Sequence, residues 1–321
     1  MRAKVLGEWS AAGVSFCGKC GSPFKGLKME TYNDVSKYWD RWRPLDVDIS
    51  GATHQGHIRE NNEDSYLLIR FGRSLESLAT NLDEHLLEKN YDLTGYGMLV
   101  ADGMGGMAAG EVASRLALST LIELIVETTD WILALKRDRD VKVVLDRMTQ
   151  RFFQIDKILR EEALRNDTLE GMGTTLTVAG ALGSDLVLGH VGDSRAYLLR
   201  GNTFRQLTTD HTLAQALIDA GVASSDDPAP RSMRHVLTAA IGSLDERVDP
   251  QVLRFKLWPG DQFLLCTDGL TEMVDDEIIA GVLREANSSQ GACQTLIDLA
   301  LAAGGTDNIT VALARFTDAL T

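Results

Sequence analysis

The 321-residue sequence predicts an α+β protein built on mostly antiparallel sheet with helices on its faces. Three observations predict it. Short apolar runs rich in β-branched and aromatic residues recur between glycine and aspartate turn signals. Two long stretches carry apolar residues at helical spacing. Strands and helices do not alternate one for one, which argues against a doubly wound parallel sheet.

Residues 1–45 stand apart from the rest of the chain. They hold Trp9, Trp39, Trp42 and the stretch FCGKCGSPF, and the boundary falls near Pro44. An N-terminal extension over 1–45 and a main domain over 46–318 are expected. Within that domain, strands are predicted at 65–71 (SYLLIRF), 96–102 (YGMLVAD), 174–182 (TTLTVAGAL) and 185–193 (DLVLGHVGD). Others are predicted at 195–200, 251–257, 262–268 and 308–316. Helices are predicted at 109–129, 141–166, 212–221 and 292–305. The first has apolar residues at 112, 116, 121, 122 and 125, a helical stripe. The last two close on Gly221 and Gly304, as helices tend to. Residues 223–233 read as a polar, proline-bearing surface loop. Arg73 to Gly95 has weak helical character and reads as an insertion.

A formal charge of −14 argues against a general nucleic-acid or anionic-membrane surface. Met1 to Val14 lacks the basic start and long apolar core of a secretory signal. The most apolar stretch, Leu116 to Leu135, is interrupted by Glu123, Glu127 and Asp130, so it reads as a buried or amphipathic helix, not a membrane span. Four cysteines in a chain of this length do not make a disulfide scaffold. A reducing, cytoplasmic setting is expected.

The acids carry the chemistry. Asp102, Asp193 and Asp268 each follow an apolar strand, Asp307 precedes one, and Glu63 and Asp64 precede another. A carboxylate at the end of a buried strand is costly unless something compensates it. Gathered carboxylates raise one another's pKa values, and divalent cations resolve the conflict. Asp-Gly pairs can instead be hairpin turns. That reading suits Asp102 and Asp268 poorly, because a helical pattern follows each, and it does not cover Asp193-Ser194 or Asp307-Asn308. The donors are all oxygen, which points to Mg²⁺ or Mn²⁺ and away from Zn²⁺. Paired hard cations are the usual equipment for hydrolysing phosphate esters. Gly103, Gly105 and Gly106 let the backbone pass close to such an ion.

Eight motifs appear in order: RENNEDS (59–65), VADGMGG (100–106), GMGTTLT (171–177), GHVGDSRAY (189–197), LTTDH (207–211), VLTAAIG (236–242), LLCTDGL (264–270) and GGTDNITV (304–311). Together they resemble the metal-dependent Ser/Thr protein phosphatases of type 2C, the PPM family, and most closely its bacterial branch. The resemblance spans residues 46 to 318. It implies a four-layer α-β-β-α sandwich with two central antiparallel sheets and a metal cleft at one end. By position, Asp102 would bridge two ions, and Asp268 and Asp307 would complete the first. The Gly103 carbonyl and Glu63, through water, would serve the second. Asp64 would orient bound water. Asp193, with Asp268, matches the position of a third, weaker ion. Arg59 matches the arginine that grips the substrate phosphate, a task suited to paired guanidinium bonds. Asn308 and Ser194 would orient carboxylates, while Thr174 and Thr175 would be sheet residues. Thr212 to Arg234 would form the flap beside the cleft.

The implied activity is hydrolysis of phosphoserine and phosphothreonine on proteins by a metal-activated bridging water, opposing a Ser/Thr kinase. One departure stands out: eukaryotic members carry a histidine after the Asp-Gly pair, and here that residue is Met104. His211 is a weaker candidate for the missing proton donor than a metal-held water. Met104 also supports the alternative, an inactive pseudophosphatase acting as a regulatory binding module. A cysteine-based phosphatase is excluded by spacing, because the residues six positions after Cys17, Cys20, Cys266 and Cys293 are Pro23, Gly26, Glu272 and Leu299. No Gly-Lys-Ser/Thr follows a glycine loop, so a Walker-type site is absent. Cys17 and Cys20 form half of a zinc-ribbon site, which needs a second donor pair.

Overall fold

The computed structural model describes residues 45–76, 90–105, 109–127, 141–224, 233–243 and 248–318. Two antiparallel sheets form its centre. The first has the order β1–β11–β10–β7–β8, from β1 (Leu45–His54), β7 (Arg195–Arg200), β8 (Thr203–Gln206), β10 (Gln262–Cys266) and β11 (Ile309–Asp318). The second has the order β2–β3–β5–β6–β9, from β2 (Asp64–Glu76), β3 (Asn90–Met104), β5 (Leu176–Leu182), β6 (Asp185–Val191) and β9 (Gln251–Lys256). A two-residue strand, β4 (Gly173–Thr174), pairs with the end of β3. The helices are α1 (Ala109–Glu127), α2 (Val141–Arg165), α3 (Leu213–Asp219), α4 (Asp268–Thr271), α5 (Asp276–Glu285) and α6 (Ser289–Ala302).

Three apolar cores define four layers. Successive strand residues point to opposite faces, and both faces are covered. On β3, Leu99 and Ala101 pack under α1 and α2, while Met98 and Val100 face the other sheet. On β10, Leu264 and Cys266 pack with Leu296 of α6, while Phe263 and Leu265 join the layer between the sheets. This double burial is why these strands read as unbroken apolar runs. Each fully buried Leu or Phe contributes roughly 1.5–3 kcal/mol, so tertiary burial holds the helices more than their own propensity does. The arrangement is the α-β-β-α sandwich that the resemblance implies.

Several boundaries differ from the sequence reading. Arg73–Glu76 and Asn90–Gly95 are not part of a helical insertion. They lengthen β2 and β3, whose register runs from Asp64↔Asp102 to Glu76↔Asn90. Ladder pairing overrides a weak local preference there. The predicted strand 174–182 breaks at Thr175, between β4 and β5. The sequence reading misses β1, where Asp46 and Asp48 interrupt the apolar pattern, and α5, which buries Ile279 and Leu283. Gly221 and Gly304 follow α3 and α6 with φ of 69° and 136°, so both helix stops are real. Cys17, Cys20 and the rest of the expected extension through Pro44 lie outside the described residues. Among the described residues no helix is long and apolar enough to cross a membrane.

The register gathers one end of the sandwich. Asp64 at the start of β2 faces Asp102 on β3. Cys266 at the end of β10 pairs with both Val311 on β11 and Arg195 on β7. Asp268, Asp307 and Asp193 are therefore brought to the same edge.

Candidate active site

Asp102 is held by its own backbone. Its N–H donates to Thr175 Oγ1 at 2.9 Å. Its carbonyl accepts from Thr175 N–H and from Thr174 Oγ1, each at 2.9 Å. Thr175 Oγ1 also lies 2.8 Å from Ser194 Oγ, which ties the Asp102 strand to the Asp193 turn. Thr174 and Thr175 are thus more than sheet residues, and Ser194 positions backbone through Thr175 instead of orienting a carboxylate.

The loop carrying Arg59, Glu63 and Asp64 is fixed by Asn308. Its Oδ1 accepts from Glu63 N–H at 2.8 Å, and its Nδ2 donates to the carbonyls of Gln55 and Asn61 at 2.8 and 2.9 Å. The residue orders a loop, a role that its place beside Asp307 did not disclose. Gly103 donates its N–H to the Glu63 carbonyl at 3.2 Å. A Cβ on Gly103 would lie 2.0 Å from the Gly110 carbonyl, so only glycine lets the first turn of α1 press against the end of β3. A Cβ on Gly110 would in turn meet Glu63 Oε2 at 2.7 Å, which places that carboxylate against the helix N-terminus, where negative charge is favoured.

The electrostatics record the crowding. Burial first, then the charges of Asp64, Asp268, Asp193 and Asp307, holds the Asp102 carboxyl well above the usual carboxylate range. Burial, Asp268 and Asp210 do the same at Asp193. Burial pushes Asp64 up to about 7, against a 2.8 Å hydrogen bond that Thr267 Oγ1 donates to its Oδ2. Burial, Glu272 and Asp307 push Asp268 up to about 6. Burial also raises Glu63. Two buried oxygens, Asp64 Oδ1 and Asp268 Oδ1, have no hydrogen-bond partner. Acidic, all-oxygen and short of hydrogen-bond donors, this set fits hard divalent cations.

The chain matches the protein phosphatase 2C family over residues 79–298. It is 35% identical over 261 residues to the serine/threonine phosphatase stp of Listeria welshimeri, covering 81% of this chain and 92% of that protein. The chain belongs to the protein phosphatase 2C family. The serine/threonine phosphatase of S. agalactiae superposes with a TM-score of 0.67 at 30% identity, over 84% of this chain and 99% of the other. The catalytic domain of the phosphatase PstP, solved with two manganese ions, superposes with a TM-score of 0.65 at 32% identity, over 85% and 100%.

Three residues bear on the chemistry of this phosphatase 2C chain. Arg59 reaches the acidic cluster from an exposed position, with Nη2 2.5 Å from Asp307 Oδ2. That ion pair and the neighbouring charges of Asp102 and Asp268 raise its already high pKa. Met104 pairs with Gly173, where a Cβ would meet Met104 Cε at 2.8 Å, so the thioether packs on β4 and brings no proton donor. His211 is engaged elsewhere: its Nδ1 accepts from Gly192 N–H at 3.2 Å and its own N–H donates to the Gly192 carbonyl at 2.7 Å. Burial lowers its pKa, which favours the neutral ring that this bond requires. The structural reading of His211 fits.

Sequence reasoning missed Thr267, Glu272 and His235. Glu272 follows Asp268 by four residues on a short helix, a spacing that could have flagged it. His235 carried no local signal, because only the packing of residues 236–237 against the start of α3 brings it to Glu272.

Proposed function

We propose that the chain hydrolyses phosphoserine and phosphothreonine on proteins in a divalent-cation-dependent reaction at this cleft. The observation that carries the reading is the set of buried and half-buried carboxylates at one sandwich edge, with Asp64 Oδ1 and Asp268 Oδ1 unpaired and Asp102 facing four other acids. Asp102, Asp268 and Asp307 would hold one cation, Asp102, Glu63 and the Gly103 carbonyl a second, with Asp64 orienting water. Asp193 with Asp268 would take a third. When bound, such cations neutralise the acids and lower the pKa of a water poised for in-line attack. Arg59 orients the phosphate through paired N–H bonds. The α1 N-terminus lies against Glu63 beside the site, where it offsets part of the burial that raises that carboxyl. Neither Met104 nor the His211 Nδ1 is set to protonate the leaving oxygen.

The measurement that tests this is phosphate release from a phosphothreonine peptide with Mn²⁺, Mg²⁺ and EDTA. Release with either metal and none with EDTA is expected; equal release in EDTA would overturn it. The same reading places residues 46–318 as the phosphatase domain, opposing a Ser/Thr kinase in the cytoplasm, with 1–45 as an extension. Cys17 and Cys20 would supply half of a tetrahedral zinc site. Elemental analysis of the purified chain should find zinc that Cys17→Ser removes.

A further inference from the structure

Protonation of the leaving oxygen is the step that neither Met104 nor His211 serves. A seryl or threonyl alkoxide leaves poorly, so its oxygen needs a proton as the P–O bond breaks. Among the described histidines, His190 is fully buried with Nδ1 2.8 Å from Thr177 Oγ1, and His54 Nδ1 accepts from Gly56 N–H at 2.9 Å. His235 differs. Its Nδ1 lies 2.7 Å from Glu272 Oε1, and its side chain is 61% exposed. A carboxylate only accepts hydrogen bonds, so Nδ1 donates and Nε2 is left to carry or give up the second proton. A carboxylate that orients an imidazole in this way readies the ring for acid–base work.

The backbone places the pair at the cleft. Glu272 N–H donates to the Asp268 carbonyl at 2.8 Å, one helical turn from that acid. Leu213 N–H donates to the Val236 carbonyl at 2.8 Å and Val236 N–H to the Met233 carbonyl at 3.2 Å, so His235 is held on both sides. Further along, Ile241 exchanges two 2.9 Å backbone bonds with Thr174, whose hydroxyl holds the Asp102 carbonyl. A ring nitrogen of His235 and one oxygen each of Asp268 and Glu272 lie within 4.8 Å of one another. The ring therefore stands beside Asp268 at the acidic cleft, open to an entering substrate.

We propose that His235, oriented by Glu272, is the general acid for the leaving oxygen. The proposal rests on the reading of this cleft as a phosphatase site. As water attacks phosphorus, the ester P–O bond breaks with its electron pair on the seryl or threonyl oxygen, and that oxygen takes the Nε2 proton. The neutral imidazole regains a proton from solvent and the attacking water releases one to solvent, so the products are the free hydroxyl and inorganic phosphate. Glu272 is a positioning residue that fixes the ring and stabilises its charged form.

Two substrates separate this role from a structural one. A p-nitrophenolate leaves without a proton, whereas a threonyl oxygen needs one. With Mn²⁺, kcat is measured for the full chain on a phosphothreonine peptide and on p-nitrophenyl phosphate. His235→Ala should lower the ratio of the two, peptide over p-nitrophenyl phosphate, by about 100-fold. Glu272→Gln should lower it in the same direction by less. ¹⁵N-histidine NMR of the metal-free chain gives a readout apart from activity, in which Glu272→Gln should shift the His235 Nδ1 resonance. An unchanged ratio in His235→Ala, a loss shared equally by both substrates, or an Nδ1 resonance that ignores Glu272→Gln would overturn the proposal and leave the phosphatase reading intact. If wild type releases phosphate from neither substrate, the phosphatase reading itself fails and the general acid with it.

Discussion

Asp102 illustrates how one side chain carries opposing demands. Its carboxyl is buried among four like charges, so the fold gains nothing from it without a cation. Asp102→Ala should cut metal-dependent phosphate release by ~100-fold or more and leave the thermal melt in EDTA no lower than wild type, because a repelled buried charge is removed. A large drop in that melt would mean Asp102 is structural. Gly103 is the opposite case, required by space. Gly103→Ala forces a Cβ to 2.0 Å from the Gly110 carbonyl. The expected cost is about 1–3 kcal/mol in denaturant unfolding, as for other overpacked sites, with activity lost as α1 is pushed from β3. Both residues were legible in the sequence, but for different reasons: the acid by its chemistry and the glycine by its neighbours in a motif.

At the scale of elements, the site depends on hydrogen bonds between segments far apart in the chain. Asn308 serves β11 in sequence yet orders the loop before β2 through three bonds. Asn308→Ala should unseat Arg59 and Glu63 together. Peptide kinetics should show a higher KM along with a lower kcat, since phosphate orientation and the metal site both loosen. A change confined to protein stability would contradict this role. Thr175 does the equivalent for Asp102 and Ser194. Removing its hydroxyl in Thr175→Val leaves a buried N–H unpaired, at about 1–3 kcal/mol, measurable by urea unfolding. Sequence reading placed both residues but could not assign their partners, because side-chain bonds across a sandwich have no sequence periodicity.

For the whole molecule, the gathered acids make stability depend on pH and metal. Burial and like charges raise Asp64 to about 7 and Asp268 to about 6, whereas in the unfolded chain such groups return to about 4. The folded chain therefore holds protons that the unfolded chain releases. The stabilisation is complete below about pH 4 and is lost as pH rises through the folded values. In EDTA the melting temperature should fall between about pH 5 and about pH 8; a rise across that window would overturn the assignment. Added Mn²⁺ should raise the melt at about pH 8, because it binds the folded state. That gain should shrink toward about pH 5, where protons compete for the same oxygens.

The sequence by itself determined the class of fold, most of the strands, the two long helices and the acids that gather at the cleft. Apolar runs and carboxylates at strand ends are local signals, and the family motifs carry them in order. The tertiary structure decided which side chains meet. Register set Asp64 against Asp102, and the long-range return of loops set Asn308 against the loop before β2 and His235 against Glu272. Such contacts depend on how distant strands pair and where the flap returns, and no short stretch of sequence contains that information.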